Sequence, residues 1–164
     1  PFHMNSLKTE IKWAFIFILA LLTWTLIEML SGLHSSRIHL HPYITNLFVI
    51  AAIVMYVKAL KDKRDHDFNG KLTYKEGLIS GSIITIIITL FSPLSQIITH
   101  EIISPNYFRN MINYSVSNNL MSAIEAESYF ELRNYIVMSV FGALIMGLVT
   151  TLIVAVFVKQ KRNK

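Results

Sequence analysis

Residues 135–158 read YIVMSVFGALIMGLVTTLIVAVFV, a run without one charged side chain. A helix needs about 20 mostly apolar residues to cross roughly 30 Å of hydrocarbon. Three further windows of mostly apolar residues lie upstream, at about 11–33, 43–60 and 77–99. The pattern predicts an all-α fold, a membrane-embedded antiparallel four-helix bundle that forms a single domain over residues 4–164.

The composition agrees with this fold and narrows the function. Hydrophobic residues make up 53% of the chain and charged residues 15%, against about 25% charged in a typical soluble domain. The chain has no cysteine, which excludes thiol redox enzymes, cysteine-ligated zinc and disulfide-bonded ectodomains. No catalytic signature or cofactor motif is present, so we expect no cofactor and favour a protein that is not an enzyme.

The first residues and the first span each raise a processing question. Residues 1–3, Pro-Phe-His, are typical of a cloning scar, and we expect Met4 to be the native start. The first span could be a cleaved signal peptide, but residues 29–32 lack the small-x-small cleavage pattern. We expect the span to be retained.

The basic residues predict the orientation of the chain. Only Arg37, Arg109 and Arg133 lie on one side of the predicted membrane. The other side holds 12 of the 15 Lys and Arg residues: Lys8, Lys12, Lys58, Lys61, Lys63, Arg64, Lys71, Lys75, Lys159, Lys161, Arg162 and Lys164. The positive-inside rule then places both termini in the cytoplasm. The net charge of +5 is explained by membrane lipids with anionic headgroups, and no nucleic-acid partner is expected.

The two longer connections differ in character. Residues 61–77 mix charges with an Asn-Gly turn and predict a solvated loop. In residues 100–134, apolar side chains recur at helical spacing opposite a polar face rich in asparagine. This predicts an amphipathic helix at about 106–125 on the outer face. It would act as a lid over the bundle or as a docking surface for a lipid or a partner.

Glu28 lies inside the first predicted span, in its outer third. An ionisable group there is costly and tends to be paired or functional. An arginine side chain can reach down from the interface, so we predict that Glu28 points into the bundle and contacts Arg133 first, and Arg109 or His34 second. A proton-linked or ligand-binding role for Glu28 is the alternative.

Several histidines share the outer side with Glu28. Candidate metal ligands are His34, His39, His41, His100 and Glu101, since zinc binds imidazole and carboxylate groups. Their spacing matches no His-x3-His or Glu-x-x-His motif. The sequence therefore favours interfacial hydrogen bonding over a metal site.

Two further patterns concern the third and fourth spans. A polar stripe at 4-3-4-3 spacing shares one helix face and comprises Thr85, Thr89, Ser92, Gln96 and Thr99. It would hydrogen-bond neighbouring helices or line a polar cavity open to the outside. Small faces suited to close helix contact, within the chain or between copies, are Gly77 with Gly81, and the row Ser139, Ala143, Gly147 and Thr151.

The chain resembles a family of small membrane proteins. The likeness rests on Lys12-Trp13, on Glu28 with residues 32–34, on residues 70–77 and 104–108, and on the tail at 142–159. That family is known mainly from Bacteroidetes and is classed as a domain of unknown function. The resemblance implies a four-span bacterial inner-membrane protein and supplies no activity.

Three functions follow as hypotheses. The first is a binding or accessory protein for a lipid, peptide or partner protein at the outer membrane face. The second is a small oligomeric proton-coupled transporter that uses Glu28. The third is a metal-dependent membrane hydrolase. A homo-oligomer or a membrane protein partner fits the first two.

Overall fold

The chain is described by a computed structural model that covers residues 7–160. The expected cloning scar at residues 1–3 lies outside the described residues, as do three of the basic residues, Lys161, Arg162 and Lys164. Over the described range the fold is helical, without strands. Its helices are α1 (Lys8–Leu30), α2 (His41–Thr45), α3 (Phe48–Asp67), α4 (Tyr74–Ile97), α5 (Tyr107–Ser117), α6 (Ala123–Tyr129) and α7 (Leu132–Val158).

Four helical segments are long and apolar enough to cross a membrane, which confirms the predicted number of spans. They are Lys8–Leu30, Ile38–Asp67, Tyr74–Ile103 and Leu132–Val158. Each exposes large apolar side chains on its surface: Leu19, Ile50, Leu90 and Phe157 are 63%, 64%, 72% and 80% exposed. Apolar surface on every long helix suits contact with lipid, since soluble monomers rarely expose such wide patches.

The second span differs from its predicted range of 43–60. A 3₁₀ turn at Ile38–Leu40 and the short α2 precede α3, and α3 continues to Asp67. The predicted solvated loop is therefore shorter than 61–77. Lys63 is buried, and its ion pair with Asp67 one turn later extends the helix.

The connection between α3 and α4 is a tight turn with a defined cap. Asn69 and Gly70 adopt positive φ angles of 50° and 79°, which reverse the chain. Thr73 then caps α4, because its hydroxyl accepts the Glu76 backbone N–H and the Glu76 carboxylate accepts the Thr73 backbone N–H.

The single amphipathic helix predicted at 106–125 is two helices, α5 and α6. Asn119 has a positive φ of 55°, and the Leu120 N–H bonds back to the Ser115 carbonyl at 2.9 Å, which ends α5. Ser122 and Glu125 form a capping box that starts α6. The Ser122 backbone N–H holds the pKa of the Glu125 carboxyl below its ordinary value.

Helix α4 packs most extensively on α7 and also contacts α1 and α3. At two levels a glycine of one helix faces a threonine of the other. A Cβ added to Gly81 would meet Thr151 Cγ2 at 2.4 Å, and a Cβ added to Gly147 would meet Thr85 Cγ2 at 2.5 Å. Glycine at these positions lets the two backbones approach closely, as expected for small-residue faces in membrane helices.

Contacts define two ends of the helix assembly. We call one the basic end, where α1 and α4 begin and α3 and α7 end. The Gln160 N–H donates to the Leu72 carbonyl there at 2.8 Å. We call the other the histidine end, where α1 and α4 end and α7 begins. His100 contacts the ring of Tyr135 there, with the ring centroids 5.3 Å apart.

The basic end contains a buried ionic cluster that sequence analysis did not predict. Lys63 and Glu10 are 5% and 1% exposed. The Lys63 Nζ lies 2.9 Å from Glu10 Oε1 and 2.6 Å from Asp67 Oδ2. The Ser80 hydroxyl donates to Glu10 at 2.9 Å. These bonds join α1, α3 and α4 through groups whose polar atoms are satisfied within the protein.

The glycine–threonine contacts predict a stability ranking. Gly81→Ala and Gly147→Ala should each lower the free energy of unfolding by about 1–3 kcal/mol, because the added methyl group overpacks the interface. Equilibrium unfolding in mixed micelles measures this. Gly142→Ala on α7 is the matched control, since an added Cβ there meets nothing within 4 Å. Equal changes in the free energy of unfolding for all three variants would contradict the close glycine–threonine packing of α4 on α7.

The ionic cluster predicts non-additive losses. Lys63→Met should lower the free energy of unfolding by about 3 kcal/mol, because it leaves the buried Glu10 carboxylate without its cation. Glu10→Gln should cost less, because Lys63 keeps its ion pair with Asp67. The double variant should cost less than the sum of the two. Asp65→Ala removes an exposed ion pair with Arg64 and should change stability little. Strictly additive losses in the same unfolding assay would show that Glu10 and Lys63 are not coupled.

Candidate functional site

Glu28 is placed at the histidine end by the way α1 stops. Gly32 adopts a φ of 82°, and the Leu33 N–H bonds to the Glu28 carbonyl at 3.0 Å. This glycine turn folds the chain back over the last turn of α1. His34 follows directly, and after one 3₁₀ turn His41 begins α2, with Pro42 in the first turn. The turn thereby brings two imidazoles to the Glu28 carboxylate.

The carboxylate and the two imidazoles form a compact buried group, which we call the Glu–His centre (Glu28, His34 and His41). Glu28 Oε2 lies 3.7 Å from His34 Nε2 and 3.7 Å from His41 Nε2. The side chains of Glu28 and His34 are each 5% exposed, and that of His41 is 14% exposed. The other carboxylate oxygen, Oε1, accepts the indole N–H of Trp24 at 2.8 Å.

Tyr107, at the start of α5, lies against the two histidines of the Glu–His centre. Its hydroxyl lies 3.3 Å from His41 Nδ1, and its ring packs edge-on against both imidazoles. Burial raises the pKa of Tyr107 well above its ordinary value, so the phenol stays neutral and can donate or accept a hydrogen bond. The Asn110 side chain donates to the His34 carbonyl at 2.8 Å, which fixes the position of α5.

His100 lies beside the Glu–His centre without belonging to it. It stands in a π-helical segment, Ile98–Ile103, that continues α4. Its ring stacks on Phe108 with centroids 4.1 Å apart and contacts Tyr107 at 5.2 Å. His100 Nε2 lies 3.1 Å from the Gln96 amide oxygen. His100 therefore links the histidine end to the interior of the spans.

Several candidate residues lie elsewhere. Of the three predicted partners of Glu28, His34 lies beside it. The predicted pairing with Arg133 or Arg109 is wrong, because both arginines are exposed while Glu28 is buried. Arg133 lines an open groove of about 530 Å³ between α6 and α7. His39 and Glu101 are also exposed. Only two of the candidate metal ligands therefore lie beside Glu28.

The polar stripe of α4 is divided among different environments. Thr85 donates to the Gly81 carbonyl at 2.9 Å and accepts the hydroxyl of Tyr56 at 2.8 Å. Thr89 has a buried hydroxyl without a partner in the described part of the chain. Ser92 and Gln96 line a cavity between the helices, whereas Thr99 is half-buried beyond it.

That cavity has a volume of about 270 Å³ and is bounded by all four long helices. We call it the interhelical cavity. Its walls are mostly apolar, with Phe17 from α1, Phe48 from α3 and Ile88 from α4 among them. Its polar lining includes Ser92, Ser95, Gln96, Ser139, Tyr56 and Thr150.

Comparison with known proteins gives one match. A family model described as "Protein of unknown function (DUF4199)" matches residues 12–160. The chain belongs to this family. No curated protein and no solved structure matches it. The resemblance to a family classed as a domain of unknown function is thus confirmed, and it assigns no ligand or reaction to the residues described above.

Trp24, Tyr107 and Ser95 are among the residues that sequence analysis missed. Trp24 stands four residues before Glu28, and side chains at that spacing share a helix face, so this contact had a readable signal. Tyr107 had none, because only the fold brings α5 against His41. Ser95 lies one position off the stripe, and it reaches the interhelical cavity because the cavity spans more than one face of α4.

Proposed function

We propose that this protein is a multi-pass protein of a bacterial inner membrane, with both termini in the cytoplasm. We further propose that it binds a single-chain amphiphile, such as a fatty acid or one acyl chain of a lipid, in the interhelical cavity. The observation that carries the binding role is the cavity itself, a space of about 270 Å³ enclosed by four apolar helices.

The wall chemistry favours a hydrocarbon chain over water. A buried water needs two to four polar partners, and apolar cavities stay dry. Three of the lining serine hydroxyls already donate to carbonyls of their own helices: Ser92 to Thr89, Ser95 to Phe91 and Ser139 to Ile136. An acyl chain needs no such partners and is abundant in the surrounding bilayer.

The cavity also reaches the lipid-facing surface. Val49 on α3 and Met146 on α7 both line it, and they are 42% and 52% exposed. A chain could therefore pass from the bilayer between α3 and α7 without crossing a polar layer.

Gln96 gives the cavity a polar end. It lies toward the histidine end of α4, and its amide oxygen faces His100 Nε2 at 3.1 Å. The amide nitrogen remains as a donor for the carbonyl or carboxylate of a ligand. A head group at Gln96, with the tail directed toward the basic end, matches the polarity of the walls.

Transport through Glu28 has weaker support. Glu28 is not among the residues that line the interhelical cavity, so a proton-coupled route would need a connection through Gln96 and His100. For this reason the geometry favours binding.

Filling the cavity should abolish ligand binding. Trp24 contacts Phe48, with ring centroids 5.9 Å apart, and Phe48 lines the cavity. In a Trp13→Phe background, energy transfer from Trp24 to parinaric acid in nanodiscs reports an occupied cavity. We expect Ala52→Phe to weaken parinaric acid binding at least tenfold, because the added ring occupies the space.

Ile53→Phe is the matched control, since Ile53 is 43% exposed and does not line the cavity. It should leave parinaric acid binding unchanged. Equal energy transfer in Ala52→Phe, Ile53→Phe and the parent protein would mean that the probe only partitions into the bilayer, and the proposal would be wrong.

The proposed orientation predicts opposite labelling of two new cysteines. Asn118→Cys lies at the histidine end and His66→Cys at the basic end, and both positions are exposed. The native chain has no cysteine, so each variant carries one. In intact spheroplasts a membrane-impermeant maleimide should label Asn118→Cys, and should label His66→Cys only after lysis. The reverse pattern would invert the orientation.

A further inference from the structure

We propose that the Glu–His centre is a binding site for one divalent transition-metal ion of the zinc type, held by Glu28 Oε2, His34 Nε2 and His41 Nε2. This inference goes beyond ligand binding in the interhelical cavity and does not depend on it.

The spacing of the three groups carries the inference. Their ligand atoms all lie within 4.8 Å of one another, and both carboxylate–imidazole distances are 3.7 Å. Hydrogen bonds between such groups are shorter, about 2.7–3.2 Å, so the carboxylate and the two imidazoles surround a point without bonding directly. Zinc binds nitrogen and oxygen at about 2.0–2.2 Å, which puts two tetrahedral ligands about 3.4 Å apart. Small side-chain shifts therefore close the site around an ion.

The surroundings resemble the supporting groups of a metal site. The Trp24 indole N–H donates to Glu28 Oε1 at 2.8 Å. The other carboxylate oxygen, Oε2, faces the two histidines. Tyr107 contacts the far nitrogen of His41, Nδ1, at 3.3 Å. In metal sites, a hydrogen bond to the atom of a ligand that does not touch the ion orients that ligand and fixes the tautomer of a histidine.

The electrostatics favour a cation. Glu28 is 4% exposed, and in the described residues its ion-pair partners are two histidines, without any lysine or arginine. Within residues 7–160, His34 Nδ1 has no hydrogen-bond partner, so no such bond holds the ring in place and it is free to adjust when Nε2 binds an ion. A buried carboxylate without a lysine or arginine beside it is unfavourable alone, whereas a divalent ion could bind Glu28 Oε2, His34 Nε2 and His41 Nε2 at once.

Donor chemistry and access restrict the ion. Two imidazoles with one carboxylate suit zinc and its neighbours, while magnesium and calcium prefer oxygen ligands alone. A second cavity of about 180 Å³ leads to His34 and is lined by Ser35 and Asn106, both exposed. It offers a path for the ion from the aqueous side.

The test uses tag-free protein with the Trp13→Phe substitution, stripped with chelator and reconstituted in nanodiscs. Trp24 is then the sole tryptophan of the chain, and its indole N–H donates a hydrogen bond to Glu28. We expect one Co²⁺ per chain, with tetrahedral d–d absorption, quenching of Trp24 fluorescence and displacement by Zn²⁺. His34→Ala, His41→Ala and Glu28→Gln should each weaken Co²⁺ binding at least tenfold.

His39→Ala is the matched control, because His39 lies in the same connection but is exposed. It should bind Co²⁺ as the parent does. Absence of a stoichiometric Co²⁺ spectrum in the parent protein, or equal binding by His34→Ala and His39→Ala, would overturn the proposal. Should His34→Ala not fold, His34→Gln and the parent's own Co²⁺ titration still decide the result.

Discussion

The close approach of α4 and α7 is the contact on which the rest of the assembly depends. Gly81 faces Thr151 and Gly147 faces Thr85, with no room for a Cβ at either glycine. Because α4 also touches α1 and α3, its position against α7 sets the position of every long helix. The Tyr56 hydroxyl lies against Gly147 of α7 and donates to Thr85 of α4. It could not reach both residues if α4 and α7 stood further apart.

The two ends of this assembly treat buried charge differently. At the basic end Lys63 lies within hydrogen-bond distance of both Glu10 and Asp67, so each carboxylate has a positive charge beside it and the contacts hold α1 against α3. At the histidine end the Glu28 carboxylate stands 3.7 Å from two imidazoles, and within the described residues no lysine or arginine pairs with it. A stable fold alone would be served by the first arrangement. The second leaves a buried carboxylate facing two imidazoles, and the proposed ion site rests on this difference.

Sequence alone could predict what depends on composition and local spacing. The four spans follow from mostly apolar runs of about 20 residues, and the small faces follow from the four-residue spacing of Gly77 with Gly81 and of Gly147 with Thr151. The break between α5 and α6 was also encoded locally, in Asn119 and the Ser122 capping box. The sequence nevertheless predicted one helix, because apolar residues recur at helical spacing on both sides of this break.

The order of the partners of Glu28 could not be predicted in this way: His34 was ranked below Arg133 and His41 was not named as a partner, and the reason is geometric. An arginine near the interface is long enough to reach a carboxylate one or two turns deeper, so charge counting pointed to Arg133. The glycine turn at Gly32 instead returns the chain over the end of α1 and fills that space with His34, while α2 brings in His41. Tyr107 and Phe108 then pack beside them, and Arg133 stays exposed. Local backbone conformation at one glycine thus decides between an ion pair and a site with two imidazoles.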